Sequence, residues 1–147
     1  MYITRADLED AVSLMELAQL SNDDPMSATQ PNWDIVDKSI AYSSELADGY
    51  LMGRYSLPLE SAPSILRAVC TDIARHWLHR RRINAADFPK SLEDAYKNAI
   101  KLLESIRDGR LQLGVRGLND GTATERAQSE VGAYRFRGKS KQDWGAY

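Results

Sequence analysis

The sequence predicts an all-α protein with a small four-helix bundle-like core, a short extended strand and a flexible C-terminal arm. Apolar residues recur every three or four positions over four stretches between residues 5 and 106. Prolines and glycines mark the breaks between these stretches, and the apolar periodicity ends after Val115. We therefore divide the chain into a helical core, residues 1–109, and an extended strand with an arm, residues 110–147.

The first helix is predicted over about residues 5–19. Thr4 followed by Asp7 resembles a capping box, in which each side chain bonds the backbone N–H of the other residue. The stripe that this helix would bury contains Leu8, Val12 and Met15. A polar loop interrupted by Pro25 and Pro31 follows, and it ends the helix.

The second helix is predicted to begin after Asn32, whose side chain is a favourable N-cap. Its core-facing stripe is Val36, Ile40, Ser43, Ala47, Tyr50 and Leu51. Gly49 lies inside this stripe and costs about 1 kcal/mol relative to alanine in a helix. We interpret Gly49 as a place where another group approaches the backbone closely.

Two further helices complete the predicted core. The third, over about residues 62–82, would bury Leu66, Val69, Cys70, Ile73 and Trp77. The fourth begins at the break near Asp87 and Pro89 and ends at Gly109, which supplies a left-handed residue. Its stripe is Leu92, Ala95, Tyr96, Ala99, Leu103 and Ile106.

A structural corner is predicted between the second and third helices. Pro58 lacks an N–H and disfavours helical backbone at Leu57, so the second helix must stop near Tyr55. Ser61 is the predicted cap of the third helix, and Pro63 would lie in its first turn. The corner residues are Gly49, Arg54, Tyr55, Leu57, Pro58, Leu59 and Pro63.

The C-terminal residues form the candidate interface. Residues 110–115 alternate polar and apolar, which indicates a short strand, and a lone strand must pair with something. Residues 134–147 hold four aromatics and four cations, which favours an arm that docks on a neighbouring subunit over a disordered end. The candidate interface residues are Arg110, Leu111, Leu113, Tyr134, Arg135, Phe136, Arg137, Trp144 and Tyr147.

A family resemblance rests on several short runs in a fixed order over residues 1–113. They are Tyr2-Ile3-Thr4 with Asp7-Leu8, Asp48-Gly49-Tyr50-Leu51, Arg54-Tyr55, Leu57-Pro58-Leu59, Pro63, Cys70-Thr71-Asp72-Ile73-Ala74-Arg75, and Gly109 before Leu111 and Leu113. In this order the chain resembles the small head-tail connectors of tailed bacteriophages, and within them the Mu-like neck proteins, also called adaptors or head-completion proteins.

The resemblance implies a structural function. A connector of this family would bridge the portal vertex and the tail as a ring of about twelve copies, with the phage portal protein and tail or stopper proteins as partners. It implies no catalysis, no cofactor and only incidental contact with genomic DNA. The expected location is the virion neck, after synthesis in the bacterial host cytoplasm.

Charge is unevenly distributed along the chain. Residues 1–60 hold 3 Lys/Arg and 11 Asp/Glu, a formal charge of −8, whereas residues 61–110 hold 10 and 6, a charge of +4. Acidic and basic helices that pack beside each other within one molecule would explain this division. Opposite faces that meet between copies of a ring would also explain it.

Two alternative functions use the third helix. Asp72, His76 and His79 share one helical face and could hold a metal, although no fourth ligand or HExxH pattern is present. Arginines 75, 80, 81 and 82 with Trp77 nearby could contact nucleic acid, but the acidic N-terminal half would repel a polyanion.

Cysteine usage and hydropathy add two expectations. The single Cys70 cannot form an intrachain disulfide, which suits a buried thiol in a reducing compartment. No apolar run approaches the roughly 20 residues of a membrane span, and the N-terminus lacks the layout of a secretory signal. We expect a cytosolic protein without a membrane partner.

Overall fold

Five helices are present in the part of the chain that the computed structural model describes, which is residues 1–24, 26, 28–82, 88–115 and 117–118. They are α1 (Arg5–Ala11), α2 (Leu14–Ser21), α3 (Trp33–Leu51), α4 (Ser64–Arg80) and α5 (Lys90–Arg107). The predicted all-α class is confirmed. The predicted flexible arm, like all residues from 119 onward, lies outside the described residues.

The three long helices form the body of the fold. Helices α3, α4 and α5 pack pairwise, and the short α1 and α2 lie against α3 and α4. The main core is built from the stripes of these helices, with Val36, Ile40, Ala47, Leu51, Leu66, Val69, Ile73, Ala99, Leu103 and Ile106 all buried. The stripes predicted for the three long helices are therefore mostly confirmed.

The predicted first helix is in fact two helices. Val12 has extended backbone (φ −136°, ψ 129°), and the side chain of Ser13 accepts a hydrogen bond from the N–H of Glu16 to begin α2. The break rotates α2 relative to α1, so Met15 is 73% exposed instead of buried. Leu17 and Leu20 of α2 instead form a second, smaller cluster with Val12 and Leu78.

The caps that the sequence predicts show mixed outcomes. Thr4 and Asp7 form the full capping box, and Asn32 Oδ1 accepts from the N–H of Asp34 at 3.2 Å. Helix α4, however, begins at Ser64 with Pro63 at the N-cap position and no side-chain cap. Ser61 is too far from the first turn to cap it, so that prediction is wrong.

The N-terminus is fixed to α3 by Tyr2. The backbone N–H of Tyr2 donates to Ser44 Oγ at 3.1 Å, and its phenol hydroxyl donates to the carboxylate of Asp48. Burial raises the pKa of Tyr2 far above its ordinary value, and the hydrogen bond to Asp48 raises it further. These contacts hold residues 2 and 3 in the main core.

Cys70 is fully buried, as predicted. Its Sγ lies 3.8 Å from the carbonyl oxygen of Ser43, and burial raises its pKa to about 12. Among the described helices, none is long and apolar enough to cross a membrane.

The neighbours Leu102 and Leu103 on α5 provide a test of the core. Leu103 is fully buried, whereas Leu102 is 37% exposed. Leu103→Ala should lower the free energy of unfolding by about 2–5 kcal/mol, because it removes buried contacts and leaves a cavity. Leu102→Ala should cost less than about 1 kcal/mol. Urea unfolding monitored by circular dichroism measures both, and equal losses would contradict the packing described here.

Candidate functional site

The corner between α3 and α4, residues 52–63, is built by short hydrogen bonds and a proline. The N–H groups of Arg54 and Tyr55 both donate to the carbonyl of Leu51, at 2.9 and 3.0 Å, and so close the end of α3. The Leu57–Pro58 peptide bond is cis. Leu57 and Leu59 pack in part against the main core, which holds the corner to the body.

Arg54 joins the corner to the far end of the chain. Its Nη1 donates to the carbonyl oxygen of Ile106 at 2.8 Å, although the two residues are 52 positions apart. The carbonyls of the last turn of a helix have no partner within that helix. Arg54 supplies one to α5, and its guanidinium carbon lies 5.8 Å from the ring centre of Tyr55.

Gly109 leaves the space that Arg54 occupies. It has φ +82°, the left-handed conformation predicted at the end of the last helix. A Cβ at this position would lie 3.0 Å from Arg54 Nη1. Glycine is therefore favoured here by its backbone angle, and a side chain at this position would also force the guanidinium of Arg54 to shift.

Gly49 does not have the role that its sequence position indicated. It is exposed, and a Cβ built on it meets no atom within 4 Å. The prediction of a close approach at Gly49 is wrong. Gly49 lies on the exposed side of α3, between the buried residues Ala47 and Leu51.

Residues 110–118, the extended segment, return to the corner. The N–H of Leu113 donates to the hydroxyl of Tyr55 at 3.1 Å, and the N–H of Leu118 donates to the carbonyl of Arg54 at 2.8 Å. Tyr55 and Gly117 form an isolated antiparallel bridge. The strand predicted over residues 110–115 is therefore wrong: those residues form no strand, and the bridge lies beyond them at Gly117 and pairs with the same chain.

The side chains of this segment are divided between core and surface. Leu113 is 7% exposed within the main core, and Leu111 and Val115 pack against that core. Arg110 is exposed and pairs with Asp108 at 3.1 Å. The expectation that the segment needs a neighbouring chain for its pairing is therefore wrong for Leu113, whereas contacts of Arg110 with a neighbour stay a prediction.

The other candidate interface residues lie in the arm. Tyr134, Arg135, Phe136, Arg137, Trp144 and Tyr147 are outside the described residues. Their role stays a prediction, as does the division of the chain at residues 109 and 110.

The two histidines among the three candidate metal ligands on α4 have different partners. The ring of His76 stacks on Tyr96 with 4.1 Å between centroids, and His79 Nε2 lies 2.9 Å from Glu16 Oε1. Burial lowers the pKa of both histidines and raises that of Asp72. No group of three His, Cys, Asp or Glu side chains among the described residues is placed to hold a metal.

Most of the arginine cluster at the end of α4 binds its own chain. Arg75 pairs with Glu16 at 3.4 Å, Arg81 pairs with Asp23, and Arg82 Nη1 donates to the carbonyl of Asp23 at 3.2 Å. These contacts join the basic half to the acidic half within one molecule. Arg80 remains exposed beside Trp77 and Tyr42, whose rings are 6.4 Å apart.

The sequence did not predict the contacts of Glu16 with Arg75 and His79. Ser13 followed by Glu16 has the spacing of a helix start, and this signal predicts both the break after α1 and the position of Glu16. Its pairing with Arg75 and His79, about 60 positions away, has no local signal in the sequence.

The fold and the corner define a small all-α protein whose C-terminal segment is bound at one helix junction. Residues 2–131 match the protein family described as Bacteriophage Mu, Gp36, and the chain belongs to this family. It is thus a Mu-like phage protein.

Two relatives show the extent of the similarity. Gene product J of Escherichia phage Mu is 31% identical over 86 residues, 58% of this chain and 57% of that protein. The Mu-like prophage FluMu protein gp36 of Haemophilus influenzae is 37% identical over 98 residues, 67% of this chain and 62% of that protein. The matched regions therefore span less than two thirds of the length of each relative.

Gly109 and Gly49 provide a matched pair of variants, because Gly109 has a positive φ beside Arg54 whereas Gly49 is an open position within a helix. Gly109→Ala should cost at least about 1–2 kcal/mol of unfolding free energy, because alanine is strained at positive φ and would also displace Arg54. Gly49→Ala should gain about 0.5–1 kcal/mol, because alanine is the better helix former. Urea unfolding measures both values, and a Gly109→Ala variant as stable as the parent would refute this role of Arg54.

Tyr55→Phe tests the attachment of the extended segment. Without the hydroxyl, the N–H of Leu113 is left buried and unpaired, which should cost about 1–3 kcal/mol. Amide hydrogen exchange at Leu113 should accelerate accordingly. Tyr42→Phe is the control, since Tyr42 is 40% exposed, and unchanged exchange at Leu113 in Tyr55→Phe would argue against this attachment.

Proposed function

We propose that this protein is a structural head-tail connector of a Mu-like phage, which assembles as a homo-oligomeric ring between the portal vertex and the tail. The observation that carries the proposal is the family match over residues 2–131. The order of motifs at the corner, which resembles connectors, adds to it. Portal protein and tail or stopper proteins are the proposed partners, and the virion neck is the proposed location.

The distribution of charge supports assembly from identical copies. Two contacts, Glu16 with Arg75 and Asp23 with Arg81, neutralise part of the charge difference within one chain. Glu9, Asp10, Glu45 and Glu60 are exposed, and none has an ion pair with another described residue. An acidic surface and an exposed Arg80 on the same molecule suit a head-to-tail contact, which closes into a ring when the rotation permits.

The division of the chain supports a passive, structural role. The helices enclose their own core, and the corner binds the extended segment as far as Leu118. The 29 residues from 119 to 147 hold the aromatic and basic arm. A folded helical body joined to an arm rich in aromatic and basic residues is suited to linking copies of the chain. We propose no catalytic activity for this protein.

The metal and nucleic-acid alternatives have less support. The two candidate histidine ligands have separate partners, and three of the four arginines clustered at and after the end of α4 bind their own chain. We propose that contact with genomic DNA is incidental, through residues that line a channel.

Mass measurement by light scattering, with and without a purified portal ring of the same phage, tests the proposal. The full chain should add about twelve copies to the portal ring. A chain truncated after Leu118 should keep its helical circular dichroism, because the corner contacts remain. It should associate at least about tenfold more weakly, a loss of about 1.4 kcal/mol.

Two results would contradict the proposal. A full chain that stays solitary beside the portal ring would exclude the connector function. Equal association of the truncated and full chains would exclude the arm as the link between copies.

A further inference from the structure

A cleft lies between the corner and the extended segment. Its volume is about 450 Å³, and it is lined by Ser56, Pro58, Leu59, Glu60, Ser61, Gly114, Val115 and Gly117. Pro58, Leu59 and Val115 provide an apolar surface, and the exposed carboxylate of Glu60 lies at the same cleft. The cleft thus combines an apolar floor with a negative charge.

The backbone beside the cleft has unused hydrogen-bonding groups. Leu113 and Leu118 donate to the corner. Within the described ranges, by contrast, the N–H groups of Gln112 and Val115 have no hydrogen-bond partner. These two N–H groups lie on either side of Gly114, which has φ +70°, so they are available to hydrogen-bond a peptide that binds at this bend.

The arm contains a segment whose pattern fits this cleft. In Tyr134-Arg135-Phe136-Arg137 aromatic and cationic residues alternate. Successive side chains of an extended chain point to opposite faces, so Tyr134 and Phe136 share one face and the two arginines share the other. The aromatic face suits the apolar side chains of the cleft, and the two positive charges on the opposite face are attracted to the acidic surface of residues 1–60.

The arm is long enough to reach a neighbouring copy. Fifteen residues separate Leu118 from Tyr134, and an extended chain of this length spans up to about 50 Å. A flexible polar linker of the same length has a root-mean-square span of about 20–24 Å. Helix α3, with 19 residues, is about 28 Å long, so the reach matches the size of one subunit body.

We propose that residues 134–137 of one copy bind as an extended peptide in the cleft of a second copy of this chain. This inference rests on the proposed ring, and it names the contact that links adjacent subunits. The second copy, rather than the same chain, is the occupant because only an exchanged arm joins subunits around a ring. The site therefore takes an extended peptide with alternating aromatic and basic residues.

Disulfide cross-linking between differently tagged copies tests this docking. One population of the full chain carries Ser61→Cys in the cleft, and the other carries Gly138→Cys next to the docking segment. The control population carries Ser91→Cys, an exposed residue in the first turn of α5, about 24 Å along that helix from its last residue. Cys70 is buried and does not compete. All mixtures include the portal ring.

The cross-linked product of the Ser61→Cys and Gly138→Cys copies should exceed the control by at least about tenfold. Tyr134→Ala with Phe136→Ala in the Gly138→Cys copy should reduce it to the control level. Arg135→Gln with Arg137→Gln should also lower the yield of cross-linked product. This loss should be smaller at high salt than at low salt, because salt screens exposed charges.

Two results would overturn the docking. They are a yield equal to the control and a yield that does not depend on the aromatic residues. Light scattering under reducing conditions separates this failure from failure of the proposed function. A ring that forms without the preferred cross-link refutes the docking alone, whereas a solitary chain beside the portal refutes both.

Discussion

The hydrogen bond from Arg54 to the carbonyl of Ile106 is the contact on which the rest of the corner depends. It needs three things at once: the end of α3 at Leu51, the end of α5 at Ile106 and the absence of a side chain at Gly109. A charged donor on a helix carbonyl is among the stronger hydrogen bonds in proteins, and it also complements the negative end of the helix dipole. The same contact places Tyr55 where its hydroxyl meets the returning chain.

Local signals in the sequence account for much of this fold. The apolar stripes of α3, α4 and α5 and the caps at Thr4, Asn32 and Gly109 depend on neighbouring residues, and these predictions are confirmed. The break between α1 and α2 also has a local signal in Ser13 and Glu16, but the stripe that continued through Val12 and Met15 concealed it. Gly49 shows the opposite error, because a costly residue in a helix does not by itself reveal a close neighbour.

The contacts that define the site could not be predicted in this way. Arg54 and Ile106 are 52 positions apart, and Tyr55 and Leu113 are 58 apart, so their meeting depends on how the helices pack. The same holds for Glu16 and the basic end of α4. The sequence predicted correctly that the alternating segment needs a pairing partner, but the partner of Leu113 is the chain's own tyrosine. Leu113 therefore needs no second chain for its backbone N–H.

The burial of Cys70 has a practical consequence. A thiol whose pKa is about 12 and whose sulfur is enclosed by α3 and α4 has almost no thiolate at neutral pH and cannot be attacked while the helices stay packed. Alkylation of this single sulfur then reports how often those two helices separate. The rate of this alkylation in the native chain is therefore a direct measure of the transient separation of α3 and α4, and no introduced label is needed.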